Sequence, residues 1–364
     1  MATLLKDLYS IDFLTELAQA INRVEPTFSE QQFINDCLVP NWADLKLMER
    51  RDQITVSLHQ QLPADFSAAA TILRQIGPQF HGLAAIVLPN YVATYGLADW
   101  DTSMATLALL TQYSSAEFAI RPFLVKYPEA TSAQMVAWSY SQQVDQRRLA
   151  SEGMRPRLPW GIRLQQFVAD PQPVMPVLTR LLNDSEVYVQ KSVANNLNDI
   201  SKDHPQLVLD FCQQHWNESE TGNWVLQRGL RTLFKQGQPE VLQLLGYQPT
   251  AAEQLTTAKL TVRQKKAALE TASEFNYQLQ ATGAKTVVPL YLGYRIHYVR
   301  QNGQTSAKDF FIKRLNLKPG QLYQGQFKIK WQQLTTRKLY AGDHLVELLV
   351  NTEPTATIQI NLTI

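Results

Sequence analysis

Apolar residues recur at helical spacing through about the first 250 positions and alternate at strand spacing through the last hundred or so. Residues 4–21 set Leu4, Leu5, Leu8, Ile11, Leu14, Leu17, Ala18 and Ile21 on one face. Similar patterns run over 29–39, with Ser29 as its cap, and over 42–58, 67–76, 83–95 and 102–113; Gly77-Pro78 stops the fourth. Residues 114–126 continue as a helix with Glu117 in its first turn and Arg121 one turn on, an i,i+4 ion pair. A further helix passes through Leu149 and stops at Gly153. Two helix pairs then follow about 35 residues apart, 175–182 with 184–205 and 206–215 with 223–235. Helices joined by short turns at that interval predict a bundle or solenoid of HEAT-like repeats.

The stretch 184–205 carries a contradiction. Asp184 or Ser185 caps its start, and Val189, Val193, Leu197 and Ile200 form a buried stripe. Ser192, Asn195 and Asp199 form a second stripe beside it, so Asp199 sits at the edge of the core. A carboxylate there is partly desolvated and needs a partner, either an internal cation or helix N-terminus, or a cationic ligand. Between the helices, Arg155-Pro156-Arg157-Leu158-Pro159-Trp160 is a stiffened loop with Glu152 at its edge. Such a loop suits phosphates and a stacked base, or else Trp160 simply fills the core. Arg228, Arg231 and Lys235 make one basic stripe if 223–235 is one helix.

Past Tyr247 the pattern changes. Residues 251–272 read as a mixed polar linker with a short helix. Then 275–279, 286–300, 308–317, 322–331, 344–350 and 355–363 alternate as strands, with turns at Asn302-Gly303 and Lys318-Pro319-Gly320. About seven short strands in this length predict an immunoglobulin-like sandwich. The expected organisation is mainly α: a helical domain at 1–250, a linker at 251–272, and a small all-β domain at 273–364.

Composition narrows the classes. No run is long and apolar enough to span a bilayer, and residues 1–9 lack a secretory pattern. Cys37 and Cys212, far apart in apolar surroundings, read as buried thiols in a reducing, cytosolic compartment. No Gly-rich phosphate loop, HExxH or CxxC occurs, and His59 and His81 stand alone, so neither a metal nor a cofactor is expected. The net charge of +2 conceals 15 basic against 6 acidic residues from Lys259 onward, and 19 against 26 before it. That basic end suits a polyanion or a solvated sheet face.

Four segments, SAEFAIRPFL, ASEGMRPRLPW, VYVQKSVANNLNDISKDHP and NWVLQRGLRTLFKQGQPEVLQLLGY, resemble the AlkC branch of the AlkC/AlkD-type DNA alkylation repair glycosylases. KDLYS and LADWDTSMATLALLTQYSSAEFAIRPFL fit as well, and the likeness extends from the start to about Tyr247. It implies a HEAT-like α-solenoid that removes N-alkylated bases, notably 3-methyladenine and 3-methylcytosine, from double-stranded DNA. Some members of this branch carry an immunoglobulin-like domain. The likeness carries over Glu117, Glu152 and Asp199 as candidate catalytic acids, places Trp160 near the lesion, and turns Arg155, Arg157, Arg228 and Arg231 to the DNA backbone. Lys235 joins them through its stripe. In the basic domain Lys313, Arg314, Lys328, Lys330, Arg337 and Lys338 are candidate phosphate contacts, and a monomer is expected. An N3-alkylated base is already cationic and leaves readily; carboxylates would stabilise the positive sugar and position water. The competing reading is a non-catalytic helical scaffold that binds DNA or protein through its concave face.

Overall fold

The computed structural model describes residues 4–282, 287–334 and 337–364. Sixteen α-helices and eight strands lie among them, and the chain divides into two compact units. The first comprises Met1–His204 and His215–Gly229; the second comprises Pro205–Gln214 and Leu230–Ile364. The second unit thus begins ahead of the expected boundary at 250.

The helices of the first unit start where short polar side chains can take up free N–H groups. Ser10, Ser29, Asp65 and Asp99 accept from Phe13, Gln32, Ala68 and Thr102, opening the helices Ile11–Val24, Glu30–Cys37, Phe66–Ile76 and Trp100–Leu110. Each cap stabilises its helix by about 1 kcal/mol. Ser10 also divides the pattern expected over 4–21: a short 3-10 turn, Leu5–Leu8, precedes the Ile11–Val24 helix. The helix expected over 114–126 begins only at Arg121 and runs to Lys126, so Glu117 lies in the turn before it.

The Val187–Ile200 helix is the centre of the first unit, packed on the Met175–Leu181, Val144–Gly153 and Glu220–Gly229 helices. Neighbours on several sides explain why Val189, Val193 and Leu197 are fully buried, and why Ser192 and Asp199 on the adjoining stripe are buried too. Asp184 does not cap it. Its carboxylate accepts the Glu186 N–H at 2.9 Å and pairs with Arg147 at 2.6 Å, shaping the turn ahead of the helix.

The second unit holds two sheets, β1 (Leu255–Val262), β3 (Thr271–Ala281) and β6 (Leu322–Trp331) in the order β1-β3-β6, and β2 (Lys266–Ala268), β4 (Val288–Val299), β5 (Thr305–Leu317), β7 (Gly342–Val350) and β8 (Glu353–Thr363) in the order β2-β8-β7-β4-β5. The residues expected to form a linker therefore carry β1 and β2. β1 pairs antiparallel with β3, Leu260 opposite Tyr277, whereas β2 runs parallel to β8. The strand expected from 286 starts at Val288; Thr286 itself lies outside the described residues. Phe275, Tyr277, Leu290, Leu292, Ile296, Val346, Leu348 and Ile360 are buried in the core of the domain. Trp331 is fully buried among them, its indole N–H donating to Ser273 Oγ at 2.9 Å.

The stripe Arg228, Arg231 and Lys235 does not exist as such. The chain breaks at Leu230 between the helices Glu220–Gly229 and Arg231–Lys235. No helix among the described residues is long and apolar enough to cross a membrane.

Cys37 and Cys212 are buried free thiols. Burial pushes the Cys37 thiol up to about 12, against an opposing hydrogen bond with Ser57, and pushes Cys212 up as well. Both folded values exceed the ordinary one, so the protonated thiols add stability below about pH 9 that is lost as pH rises. In the native protein near neutral pH neither thiol should react with a maleimide within minutes, and both should react in urea. Rapid native labelling of either would contradict the packing described.

Candidate active site

Three elements of the first unit bring acids together. The Val144–Gly153 helix carries Arg148 and Glu152 four residues apart, on one face. It ends at Gly153, where an added Cβ would come 2.6 Å from Ile120 Cγ2, so this helix end lies tight against the Ile120 turn. The Pro-rich segment after it returns Arg155 to the same place. The Val187–Ile200 helix supplies Asp199, and the turn before Arg121 supplies Glu117.

The resulting cluster alternates in charge. Glu117 pairs with Arg148 and accepts from Ser115 Oγ at 2.7 Å. Arg148 also stands 3.5 Å from Glu152 Oε1, which accepts from Arg155 Nη1 at 2.6 Å. Arg155 Nε donates to Asp199 Oδ2 at 2.8 Å, and Asp199 Oδ1 accepts from Lys202 at 2.8 Å. Glu152, Arg155 and Asp199 are all buried. Burial by itself lowers the Arg155 guanidinium, but Glu152 and Asp199 more than offset it and raise its pKa above the ordinary arginine value. Arg148 is raised in the same way by Glu152 and Glu117.

Glu117, Arg148, Glu152 and Arg155 face a cleft of about 500 Å³, whose lining also includes Trp160 and Tyr188. Asp199 stands behind Arg155, outside that lining. Trp160 does not fill the core: it is 64% exposed, with a positive φ of 65° that is strained for a bulky residue. It also borders a second cleft of about 350 Å³.

The three expected acids thus lie together, and of the partners open to Asp199 the structure supplies internal cations, Arg155 and Lys202, while Arg148 sits between Glu117 and Glu152. Two expectations need correction. Arg155 does not face a DNA backbone; it is buried in the cluster. Glu117 does not pair with Arg121, which lies outside hydrogen-bonding reach of any carboxylate and donates to the backbone carbonyls of Gly153, Arg155 and Ile162.

The other expected contacts scatter. Arg157 forms a two-bond pair with Asp203 at 2.9 and 2.6 Å, which lowers the Asp203 pKa. Arg228 lies over the Trp224 ring at 4.9 Å. In the second unit Arg231 opens its short helix and has interactions of its own, and Lys235 lines a cleft of about 120 Å³ beside Phe311. Lys313 donates to the Tyr323 hydroxyl at 2.7 Å, Lys328 pairs with Glu274 at 2.6 Å, and Arg314 and Lys330 are exposed on edge strands β5 and β6.

Arg148, Tyr188, Asp145 and Lys202 escaped the sequence reading. Arg148 lies 5.0 Å from the Tyr188 ring, and Asp145 lines the cleft with its pKa raised by burial against a backbone hydrogen bond and the pull of Arg148. The i,i+4 spacing of Arg148 and Glu152 and the i,i+3 spacing of Asp199 and Lys202 were the available signals. Among the described residues no group of three or more His, Cys, Asp or Glu is arranged to hold a metal ion.

A helical-repeat domain with an acid cluster in a cleft, followed by an immunoglobulin-like sandwich, defines a class. Residues 51–233 match the family described as DNA alkylation repair enzyme, and the chain belongs to that family, in the AlkC form. Residues 256–364 match a C-terminal Ig-like domain described for the uncharacterised protein YhaZ. The chain is 38% identical over 349 residues to "Uncharacterized protein YhaZ" of Bacillus subtilis (strain 168), covering 96% of each. It is 35% identical to the Pseudomonas fluorescens alkylpurine DNA glycosylase AlkC, solved bound to DNA containing an abasic site analog. That match has a TM-score of 0.91 and covers 100% of both chains.

Arg155→Gln should leave Glu152 and Asp199 without their shared cation and cost about 3–5 kcal/mol of stability. Adding Asp199→Asn should recover part of that loss, because the two sites are coupled. Urea melts of the two single variants and the double variant test this; additive losses would show that Arg155 does not bind the acids together.

Proposed function

We propose that this DNA glycosylase hydrolyses the N-glycosidic bond of cationic N3-alkylated bases, such as 3-methyladenine and 3-methylcytosine, in double-stranded DNA. The observation that carries this reading is Glu117 and Glu152 on one cleft with Asp199 directly behind it on Arg155, the three acids linked through two shared guanidiniums. A protonated or alkylated base departs without much help from an acid, so the need lies on the sugar side, where positive charge develops. Fixed carboxylates in a partly dry site stabilise that charge more than water does.

The roles divide by position. All described contacts of the Glu152 carboxylate fall on Oε1, which leaves Oε2 to accept from a water or to face the sugar. Asp199, behind Arg155, acts on the reaction through the field it sets and through the orientation of Arg155. Glu117, at the rim with Arg148, assists in drawing the cation in. Trp160, exposed at the mouth, packs against the lesion or its neighbour. Arg157 and Arg228 contact phosphates from the helical unit, Arg231 and Lys235 are further candidates, and Lys313, Arg314, Lys328 and Lys330 do the same from the sandwich. Such contacts make binding weaken as salt rises. Duplex DNA as substrate and two free thiols suit the cytosol as the proposed compartment.

Asp199→Asn should retain duplex binding and lose about 100- to 1,000-fold in release of methylated bases. Base release from alkylated duplex, followed by chromatography, measures it; a wild-type rate in this variant would remove Asp199 from the mechanism. Lys202, the lysine next to the acids, is engaged by Asp199 at 2.8 Å and lines no cleft with Glu152, so the proposed nucleophile is water and not an amine. Borohydride should therefore trap no covalent protein–DNA product, and the strand should remain intact; a trapped adduct would overturn the hydrolytic route.

A further inference from the structure

A costly placement in the first unit belongs to a residue that the mechanism above does not use. Arg121 is completely buried. Among the described residues its guanidinium makes no ion pair; Nε donates to the Ile162 carbonyl at 2.7 Å, and Nη1 donates to the carbonyls of Gly153 and Arg155, each at 2.8 Å. Nη2 has no hydrogen-bond partner among them. Burial, and then the like charge of Arg155, push its pKa down to about 10. A cation buried on carbonyls alone is a poor way to stabilise a core, since an apolar residue of similar size would avoid the desolvation.

What the guanidinium touches gives the reason. The three carbonyls span the segment that leaves the Val144–Gly153 helix, carries Arg155 and Trp160, and ends at Ile162. One is Arg155's own carbonyl, another lies two residues before it at Gly153, and the third lies two residues past Trp160. Elsewhere this segment is held by few backbone bonds, Arg155 N–H to Glu152, Gly161 N–H to Leu158 and Leu164 N–H to Pro156. The side chain also passes directly beneath the loop: a Cβ at Gly161 would lie 3.3 Å from Arg121 Cδ and Nε, and 3.1 Å from Leu158 Cδ2.

We infer that Arg121 is a positioning residue, whose guanidinium fixes the 153–162 segment from below and so sets Arg155 against Glu152 and Asp199 and holds the Trp160 indole at the cleft mouth. The planar fork is what the task requires. Its Nε edge reaches one end of the segment and its Nη1 the other, whereas a lysine ammonium is a single point on a flexible stem. The inference rests on the glycosylase reading for its kinetic consequence, but not for the loop it fixes.

The test uses the full chain. Arg121→Lys keeps the charge and loses the fork; Gly161→Ala presses on the same contact without removing any polar group. Arg50→Lys is the control, because Arg50 is another buried arginine that donates to carbonyls, those of Trp42 and Lys6, stands 3.7 Å from Asp7, and lines neither cleft. Single-turnover release of methylated bases gives the rate at saturating protein and the protein concentration at half saturation. Iodide quenching, read as the difference from a Trp160→Phe background, reports the indole.

Arg121→Lys should lower the saturating rate about 100-fold, the effect of a displacement on the order of 1 Å at a reacting centre, and Gly161→Ala about tenfold. Half saturation should move by less than about threefold in both, which marks a loss in the transition state and not in binding. The quenching of Trp160 should change in both. Arg50→Lys should lower the melting temperature and leave rate and quenching as they were. Wild-type rates and quenching in Arg121→Lys, or a rate that falls only with the fraction folded, would overturn the inference. If Arg121→Lys does not fold, Gly161→Ala decides alone by the same two readouts. If the wild type releases no base, the glycosylase reading fails, and the quenching arm still tests the hold of Arg121 on its loop.

Discussion

One guanidinium shared by two buried carboxylates is the interaction on which the helical unit depends. Arg155 lies between Glu152, from the helix just before it, and Asp199, more than forty positions later on a different helix. Two unit charges at 4 Å interact by about 4 kcal/mol at the effective dielectric of a protein near its surface. That attraction holds both acids out of water, with Arg148 assisting at Glu152 and Lys202 at Asp199, and it exists only if the Pro-rich loop brings Arg155 inward. The fold of the loop, the packing of two helices and the charge state of the cleft are therefore a single equilibrium. A defect in any one reaches the others.

The same arrangement bears on the choice between enzyme and scaffold. A scaffold would pair each acid with its own internal cation, out of reach of solvent. Here the cations are shared, and Glu117, Arg148, Glu152 and Arg155 all border the open cleft. A guanidinium is planar, and its positive charge is delocalised over the plane. A ring-methylated adenine or cytosine has those same two properties. The function proposed above asks such a base to sit beside carboxylates as a guanidinium does, and the exposed, strained Trp160 supplies an aromatic face at the entrance.

Much of this was legible before any coordinates, and the failures have physical causes. The position of Asp199 at the edge of a buried stripe follows from helical periodicity alone. The identity of its partner does not, because Arg155 lies in a loop where no period applies. Glu117 and Arg121 have the spacing of an ion pair only if one helix contains both; the helix starts at Arg121, so the spacing misled. Arg228 and Arg231 fell apart for the same reason at Leu230. The strand β1 was read as linker since of its eight residues only Leu260 is buried, too weak an alternation to register. The three acids as a set came from resemblance to a family, and no pattern of spacing could have joined residues from three separate elements.

Counted formally, three acids stand with Arg148, Arg155 and Lys202, and Arg121 adds a fourth cation beneath them. The count omits the backbone. Glu152 is the penultimate residue of the Val144–Gly153 helix, and Asp199 is the penultimate residue of Val187–Ile200. Each helix end contributes the equivalent of about half a negative charge from carbonyls without intrahelical partners. An acid at that end is disfavoured by itself, and here two such ends meet. Arg121 answers the first of these ends directly, through the Gly153 carbonyl, and Lys202, just past Ile200, lies beside the second while it bonds Asp199. With the helix ends included, the buried guanidinium on carbonyls is the charge that lets two acids sit at two helix C-termini, an arrangement neither acid would tolerate alone.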